Sequence, residues 1–480
     1  MAVAGFSTHR VCIALYSIRA EFLKCFLIGC KLCTSYIHRM RQDSEHTTLG
    51  FYLPGFFHLE LATAEDLNDF NRLAENGASA ELISTFLHEY IHFLQDTTST
   101  HGLVNFIYYI EYLKNANKQV RENPHAEFAT PLKITNTFEH FTNTTLGKIY
   151  YGNPRQKAES ISYSGYFADD VRITTNGGKA IRFPNYKIRY YDNGAQTTET
   201  CHFGSLHIKE YMAHAIQKQF TPNRNHSEIP YVLVELLVEK EYPPLAADKS
   251  LIIALCDAAL MEYHPARLFF DALERMKRAK WIPAGVDSVY AFVFDGLKLN
   301  WENQTETFDS LHEKTASSAI EHFRDALKAD IYTENVQWFE HVIREARNLR
   351  INHQGFFTRL VQSPRTLSRL FYQIIDMLGI PFMTNALAKG YFLPPKNLKS
   401  LNIQPYFPKV FQAIYTTYQG KDDCLLHSFC RARSDKNVTD DHCLKSPWER
   451  VNFPELCPYA QMWKTWGLTG KKPVSARTNY

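Results

Sequence analysis

The chain has 480 residues, 45% of them hydrophobic and 21% charged, which is enough apolar material for two or three domains and excludes wholesale disorder. Lys plus Arg number 53 against 50 Asp plus Glu, a formal charge of +3 that lacks the concentrated basic character needed to grip a phosphate backbone, so nucleic acid is not an expected partner. Arg, Lys or Asp interrupts every greasy stretch before it reaches the ~18 apolar residues of a spanning helix, so no membrane partner is expected either.

Residues 1–45 read as a basic amphipathic extension. Val11 to Tyr16 is a short apolar run behind His9 and Arg10, but Arg19, Glu21 and Lys24 follow too soon for a signal peptide. Ten cysteines suit a reduced protein and a cytoplasmic setting. Sequons at Asn143, Asn225, Asn303 and Asn437 are of a kind that recurs by chance in a chain this long.

Phe57, Leu59 and Leu61 alternate with His58 and Glu60, predicting a short half-buried strand, and Glu65 to Glu75 carries helical spacing up to Asn76-Gly77. Ser79 then predicts the N-cap of a largely buried helix, with Leu82, Ile83, Phe86, Leu87, Tyr90, Ile91 and Leu94 at helical spacing through Asp96. A break at residues 97–102 precedes a second helix over Leu103 to Lys118. Asn176-Gly177-Gly178, between Val171–Thr174 and Ala180–Phe183, and Asp192-Asn193-Gly194 after Lys187–Tyr191 are two hairpin signatures in succession. Gly204-Ser205 opens a helix through Gln219, with Ser205 as its expected cap.

From about Ala246 to Ala388 the pattern is nearly all helical, including Ser250–Tyr263, Ala266–Arg278, Ser310–Lys328 and Asn335–Arg347. Beyond Lys396 the chain is richer in Pro, Cys and aromatics, and it ends in a basic tail expected to fray.

The chemistry is concentrated in His88-Glu89-Tyr90-Ile91-His92, within the helix that Ser79 opens. Two histidines four apart project from one helical face and can chelate one ion, while Glu89 falls beside that face. A neutral imidazole pair suits zinc, and a carboxylate that is not a ligand can take a proton from water and return it to a leaving amine.

This stretch resembles the active-site helix of the HExxH zinc metallopeptidases, the zincin group. Thr85 stands three residues before the first His, uncharged Phe86, Tyr90 and Ile91 surround the pair, and Phe93 and Leu94 follow it, as in that group. The metzincin continuation would need Gly at 95 and His at 98, where this chain has Gln95 and Thr98. The resemblance is therefore to the gluzincin type, which implies a third ligand, a Glu from a later helix.

Glu210 is favoured for that role, in a capped helix with Ala213 three residues on for close packing; Glu111, which lies 18 residues beyond His92, and His101 are alternatives. Zincins also imply a sheet beside the metal helix whose edge strand binds extended substrate, a role expected here of the hairpin region. His207 and His214 share the face of Glu210, and Tyr263 or His264 is a candidate donor to a tetrahedral intermediate, although a packed bundle helix explains the latter two more simply. Cys424, Cys430, Cys443 and Cys457, with His427 and His442 nearby, could close a structural zinc site, but their spacings are loose and free or buried thiols are the better reading; nothing is assigned to Cys30 and Cys33.

The expected architecture is α+β and mainly α: an extension at 1–45, a zincin-like catalytic domain with a β-hairpin insertion at 46–245, a helical domain at 246–395 and a Cys-containing region at 396–480. The expected function is a zinc-dependent metallopeptidase acting on a peptide or protein substrate, with Zn2+ on His88, His92 and Glu210 and with Glu89 activating water. The alternative is a non-catalytic binding or regulatory protein on a zincin scaffold. The sequence carries no signal for a particular oligomeric state.

Overall fold

A computed structural model of the protein describes residues 50–475 apart from 54, 56, 69, 71–77, 134–145, 148, 154–155, 175–179, 225, 296–298, 302–303 and 433–438. The extension at 1–45 with Cys30 and Cys33, the four sequon asparagines Asn143, Asn225, Asn303 and Asn437, the Asn176-Gly177-Gly178 turn, and most of the helix expected over 65–75 lie outside the described residues.

The fold is α+β and mainly α. Strands β1 (Gly50–Leu53) and β2 (His58–Leu61) form a hairpin, followed by helices α1 (Ala80–Thr98) and α2 (Thr100–Glu122) and the short strand β3 (Glu127–Thr130). Gly55, between β1 and β2, has a φ of +77°, and a Cβ there would sit 2.0 Å from the Tyr109 ring, so the position accepts only glycine. Next come the antiparallel strands β4 (Ile161–Thr174), β5 (Ala180–Asp192) and β6 (Thr197–His202), then α3 (Ser205–Phe220). The second hairpin turns where Asp192 Oδ1 accepts the Gly194 and Ala195 amides.

Helices dominate thereafter: α4 (Leu233–Glu241), α5 (Lys249–Ala259), α6 (Pro265–Ala279), α7 (Val286–Asp295), α8 (Phe308–Ala326), α9 (Thr333–Asn352) and α10 (Arg369–Leu378). Two strands not expected from the helical pattern follow, β7 (Ile380–Asn385) and β8 (Gly390–Leu393), before α11 (Phe407–Tyr418), α12 (Pro458–Thr465) and β9 (Lys472–Ser475).

β7 is buried at every position and lies between β2, to which it is parallel, and β8, to which it is antiparallel, so the sheet order is β1-β2-β7-β8. A strand covered on both faces carries no period-2 signature, which is why its six residues pass as helical sequence. The same burial takes in His58, expected on the solvent side of β2: its Nε2 pairs with Thr384 Oγ1 at 3.0 Å and its ring stacks on Phe382. β9 pairs in parallel with β3, so this part of the expected frayed tail is strand. Segments assigned from sequence to separate domains thus share two sheets, and one hydrophobic core runs continuously from Tyr52 to Leu468.

Helix α1 is the hub, buried from Leu82 to Thr98 and packed against α2, α3, α9 and β1. Ser79 caps it as expected, accepting the Leu82 amide at 3.1 Å. Its far end runs two residues beyond the expected Asp96, because Thr97 Oγ1 donates to the Phe93 carbonyl and Thr98 Oγ1 to the Leu94 carbonyl, satisfying the hydroxyls within the helix. The expected break at 97–102 shrinks to Ser99, whose Oγ accepts the Gly102 amide and caps α2.

A buried ion pair anchors the same end. Arg350 binds Asp257 through both of its terminal nitrogens at 2.6 and 3.0 Å and donates to the Thr98 carbonyl, and the Tyr290 hydroxyl donates to Asp257 Oδ2 at 2.6 Å. We expect Asp257→Ala to cost about 3–5 kcal/mol in urea unfolding, because it strands a buried guanidinium, whereas Asp257→Leu with Arg350→Met should recover most of that loss. A single substitution costing under about 1 kcal/mol would contradict this role.

Candidate metal centre

His88 and His92 occupy successive turns on one face of α1 and are 7% and 6% exposed. Helix α3 crosses that face antiparallel, and contacts at both ends set the register. At one end Gln217 Nε2 donates to the Ser84 carbonyl at 3.0 Å. At the other, Gln95 Nε2 donates to the Lys209 carbonyl at 3.0 Å and Lys209 Nζ pairs with Asp96 Oδ1 at 2.6 Å, with the two side chains 8% and 3% exposed. Between these ties, Glu210 Oε2 comes to 3.3 Å from His88 Nε2 and 3.5 Å from His92 Nε2. Among the described residues, His88, His92 and Glu210 form the one group of His, Cys, Asp or Glu side chains that brings three ligand atoms within 4.8 Å of one another.

The hydrogen bonding makes this group receptive to a cation. The Gln95 amide is oriented by its bond to the Lys209 carbonyl, so its Oε1 faces His92 Nδ1 at 2.8 Å and must accept that proton. A neutral His92 then presents a bare Nε2 lone pair to the Glu210 carboxylate, an arrangement that calls for positive charge between them. Burial works against a charged ring, yet Glu210 and Glu89 together raise the His92 pKa above its ordinary value. Two imidazole nitrogens and a carboxylate oxygen are a donor set that zinc and several other first-row divalent ions accept. Gln95 is the kind of outer partner that fixes a ligating imidazole's tautomer.

The two nearby carboxylates are set apart by their surroundings. Burial alone would raise Glu210, but His92 and His88 outweigh it and hold its carboxyl well below the usual range. Burial, reinforced by Glu210 and opposed by His88 and His92, raises the pKa of Glu89. Glu89 lies against β1: a Cβ on Gly50 would sit 3.1 Å from its Oε1. The strand beside the metal helix at this point is therefore β1, whereas the hairpin sheet expected there packs on α4 and α6.

The alternative ligands are engaged elsewhere. Glu111 is buried, pairing with His322 Nε2 and Lys114 Nζ, each at 2.8 Å, so it neither meets the histidines nor lies on a solvated face. His101 contacts the Tyr263 carbonyl and Asn105. His264 donates from Nε2 to the Pro184 carbonyl at 2.8 Å and lies against Tyr150 and Tyr186. His207 stacks on Phe203, and its Nδ1 accepts the Gly204 amide. Gly204, not Ser205, is the α3 N-cap; a Cβ there would come within 2.4 Å of the Gly152 nitrogen. Cys424, Cys430, Cys443 and Cys457 are buried free thiols.

Side chains that sequence reasoning missed complete the surroundings. The ring of His226 stacks near His88 with centroids 6.4 Å apart, Tyr231 approaches His88 at 6.0 Å, and His214 meets both of these residues from α3. Helical spacing could have found Gln95, three residues after His92; His226 lies in a segment with no periodicity to flag it. Comparison of the chain with protein-family models, curated proteins and solved structures returned no match.

Glu210→Gln should release the metal from equilibrium dialysis at concentrations that saturate the unaltered protein. Glu111→Gln should leave metal content unchanged and cost about 1–3 kcal/mol of stability, because His322 and Lys114 lose a buried charged acceptor. The reverse pattern would move the ligand to Glu111.

Proposed function

We propose that the protein is a zinc-dependent hydrolase of the peptidase type, related in its chemistry to the HExxH metallopeptidases of the zincin group. The observation that carries this reading is the convergence of Glu210 on His88 and His92 while Glu89, the remaining acid of the motif, stays outside the ligand set. A protein needing the ion only for structure has no use for such a carboxylate.

His88, His92 and Glu210 would hold the ion. When bound, zinc supplies a Lewis acid that polarises the substrate carbonyl and acidifies water. Glu89 takes the proton from the attacking water and returns it to the leaving amine; its raised pKa brings it nearer the working range of a general base at neutral pH. The edge position of β1 offers an extended peptide a strand to pair with beside Glu89. We assign His226 and Tyr231, whose rings lie beside that of His88, as donors to the oxygen that gains charge. Burial lowers the His226 pKa to about 4, so its ring donates without carrying a charge of its own.

Six described cysteines, all free and buried, support a reducing, cytoplasmic setting. No helix among the described residues is long and apolar enough to cross a membrane.

The reading is tested with Glu89→Gln, which keeps size and hydrogen-bonding capacity but cannot carry the proton. Zinc content should stay at one per chain while chelator-sensitive cleavage of a mixed peptide library falls by about 10²–10⁴. Combined His88→Ala and His92→Ala should abolish both zinc and cleavage. Wild-type protein that binds zinc but cleaves nothing in the library would favour a binding protein.

A further inference from the structure

We infer that Arg224 is a specificity residue that binds a carboxylate of the substrate one or two residues from the scissile bond, an inference that rests on the peptidase reading above. Arg224 lies in the segment after α3, and its side chain is only 14% exposed. Its Nη1 stands 3.4 Å from Ser84 Oγ and 3.5 Å from Thr85 Oγ1, both neutral hydroxyls at long range. The carboxylate that approaches it is that of Glu81, 3.8 Å away and 73% exposed, a solvent-screened surface contact. Among the described residues its Nε and Nη2 make no hydrogen bond. A largely covered guanidinium whose neighbouring carboxylate is itself solvated gains from a ligand that brings a second negative charge, and its planar fork matches a carboxylate.

Its position fits that ligand to the metal centre. Ser84 and Thr85 precede His88 by about one helical turn, roughly 4.5–6 Å along the axis. Thr85 also faces β1, since a Cβ on Gly50 would lie 2.9 Å from its Cγ2, while that same Cβ would lie 3.1 Å from Glu89 Oε1. Arg224 therefore adjoins the stretch of α1 along which a chain passing Glu89 would run. An extended peptide advances ~3.3–3.6 Å per residue, so a carboxylate one or two residues from the carbonyl at the centre reaches the guanidinium. Two sources share this chemistry: an Asp or Glu side chain, and the α-carboxylate of a short peptide.

The test measures binding apart from turnover. Zinc-loaded Glu89→Gln protein is titrated against fluorescent peptides in matched pairs, Asp or Glu against Asn or Gln at each of the two positions flanking the cleaved bond on either side, and free against amidated C-terminus. One acidic series should bind about 10- to 100-fold tighter than its neutral twins, and the series that does so identifies the source. Adding Arg224→Gln should reduce that ratio to within about 2-fold, Arg224→Lys should retain part of it, and zinc content should not change in either. No discrimination between twins, or discrimination that survives both Arg224 substitutions, overturns the assignment. Library digestion by wild-type protein separates the two failures: charge-blind cleavage removes the role of Arg224 and leaves the hydrolase, whereas no cleavage and no peptide binding removes both.

Discussion

The candidate centre depends on one register, that of α3 lying antiparallel across α1, and a buried ion pair between Lys209 and Asp96 holds it. Glu210 follows Lys209 directly, and Asp96 stands one turn beyond His92. A slip of α3 by one residue would swing Glu210 by about 100° around its helix axis and take it away from both imidazoles. The pair costs desolvation on both sides, and breaking it by removing one partner leaves an uncompensated buried charge. Gln95 couples this clamp to the chemistry, because the amide that bonds the Lys209 carbonyl is the one that sets the His92 tautomer. Burial of α1 explains why so many of its polar groups are tied down: Arg350 at Thr98, Tyr90 to the Gly379 carbonyl and Ser84 to Gln217 each answer a group that water does not reach.

Three carboxylates, one each on α1, α2 and α3, illustrate how surroundings set the state of a side chain. Glu210 faces two imidazoles and stays anionic, ready to hold a cation. Glu89, on the same helix as those imidazoles but beside the backbone of β1, has its pKa raised by burial, which suits the proton-carrying role proposed for it. Glu111 is satisfied by His322 and Lys114 against α8 and stabilises the packing of helices. Side-chain chemistry is identical in all three, so the separation comes from neighbours alone.

Much of the centre was legible because it rests on local patterns. Ser79 as a cap, the apolar stripe of α1 and the i, i+4 histidines follow from spacing within a single helix, whereas Glu210 on a later helix is what the gluzincin resemblance implied. What stayed hidden depends on pairings distant in sequence. His58 is buried because β7, more than three hundred residues away, pairs with β2, and nothing near His58 announces that partner. β7 itself is buried on both faces and loses the alternation that marks a strand. The extent of α1 was underread because Thr97 and Thr98 look like loop residues until their hydroxyls are seen to bond back to the helix. Arg224, beside Ser84 and Thr85, and His226, beside His88, come to α1 from an irregular segment whose path is set by tertiary packing.

The central claim is that His88, His92 and Glu210 together hold one metal ion. The most direct measurement is an anomalous difference map at the zinc edge from crystals of the zinc-loaded protein. The account predicts one strong peak about 2.0–2.2 Å from His88 Nε2, His92 Nε2 and a Glu210 carboxylate oxygen, with Glu89 outside the ligand shell. A map with no peak between these three side chains, or with zinc held by the cysteines of the C-terminal region instead, would contradict it.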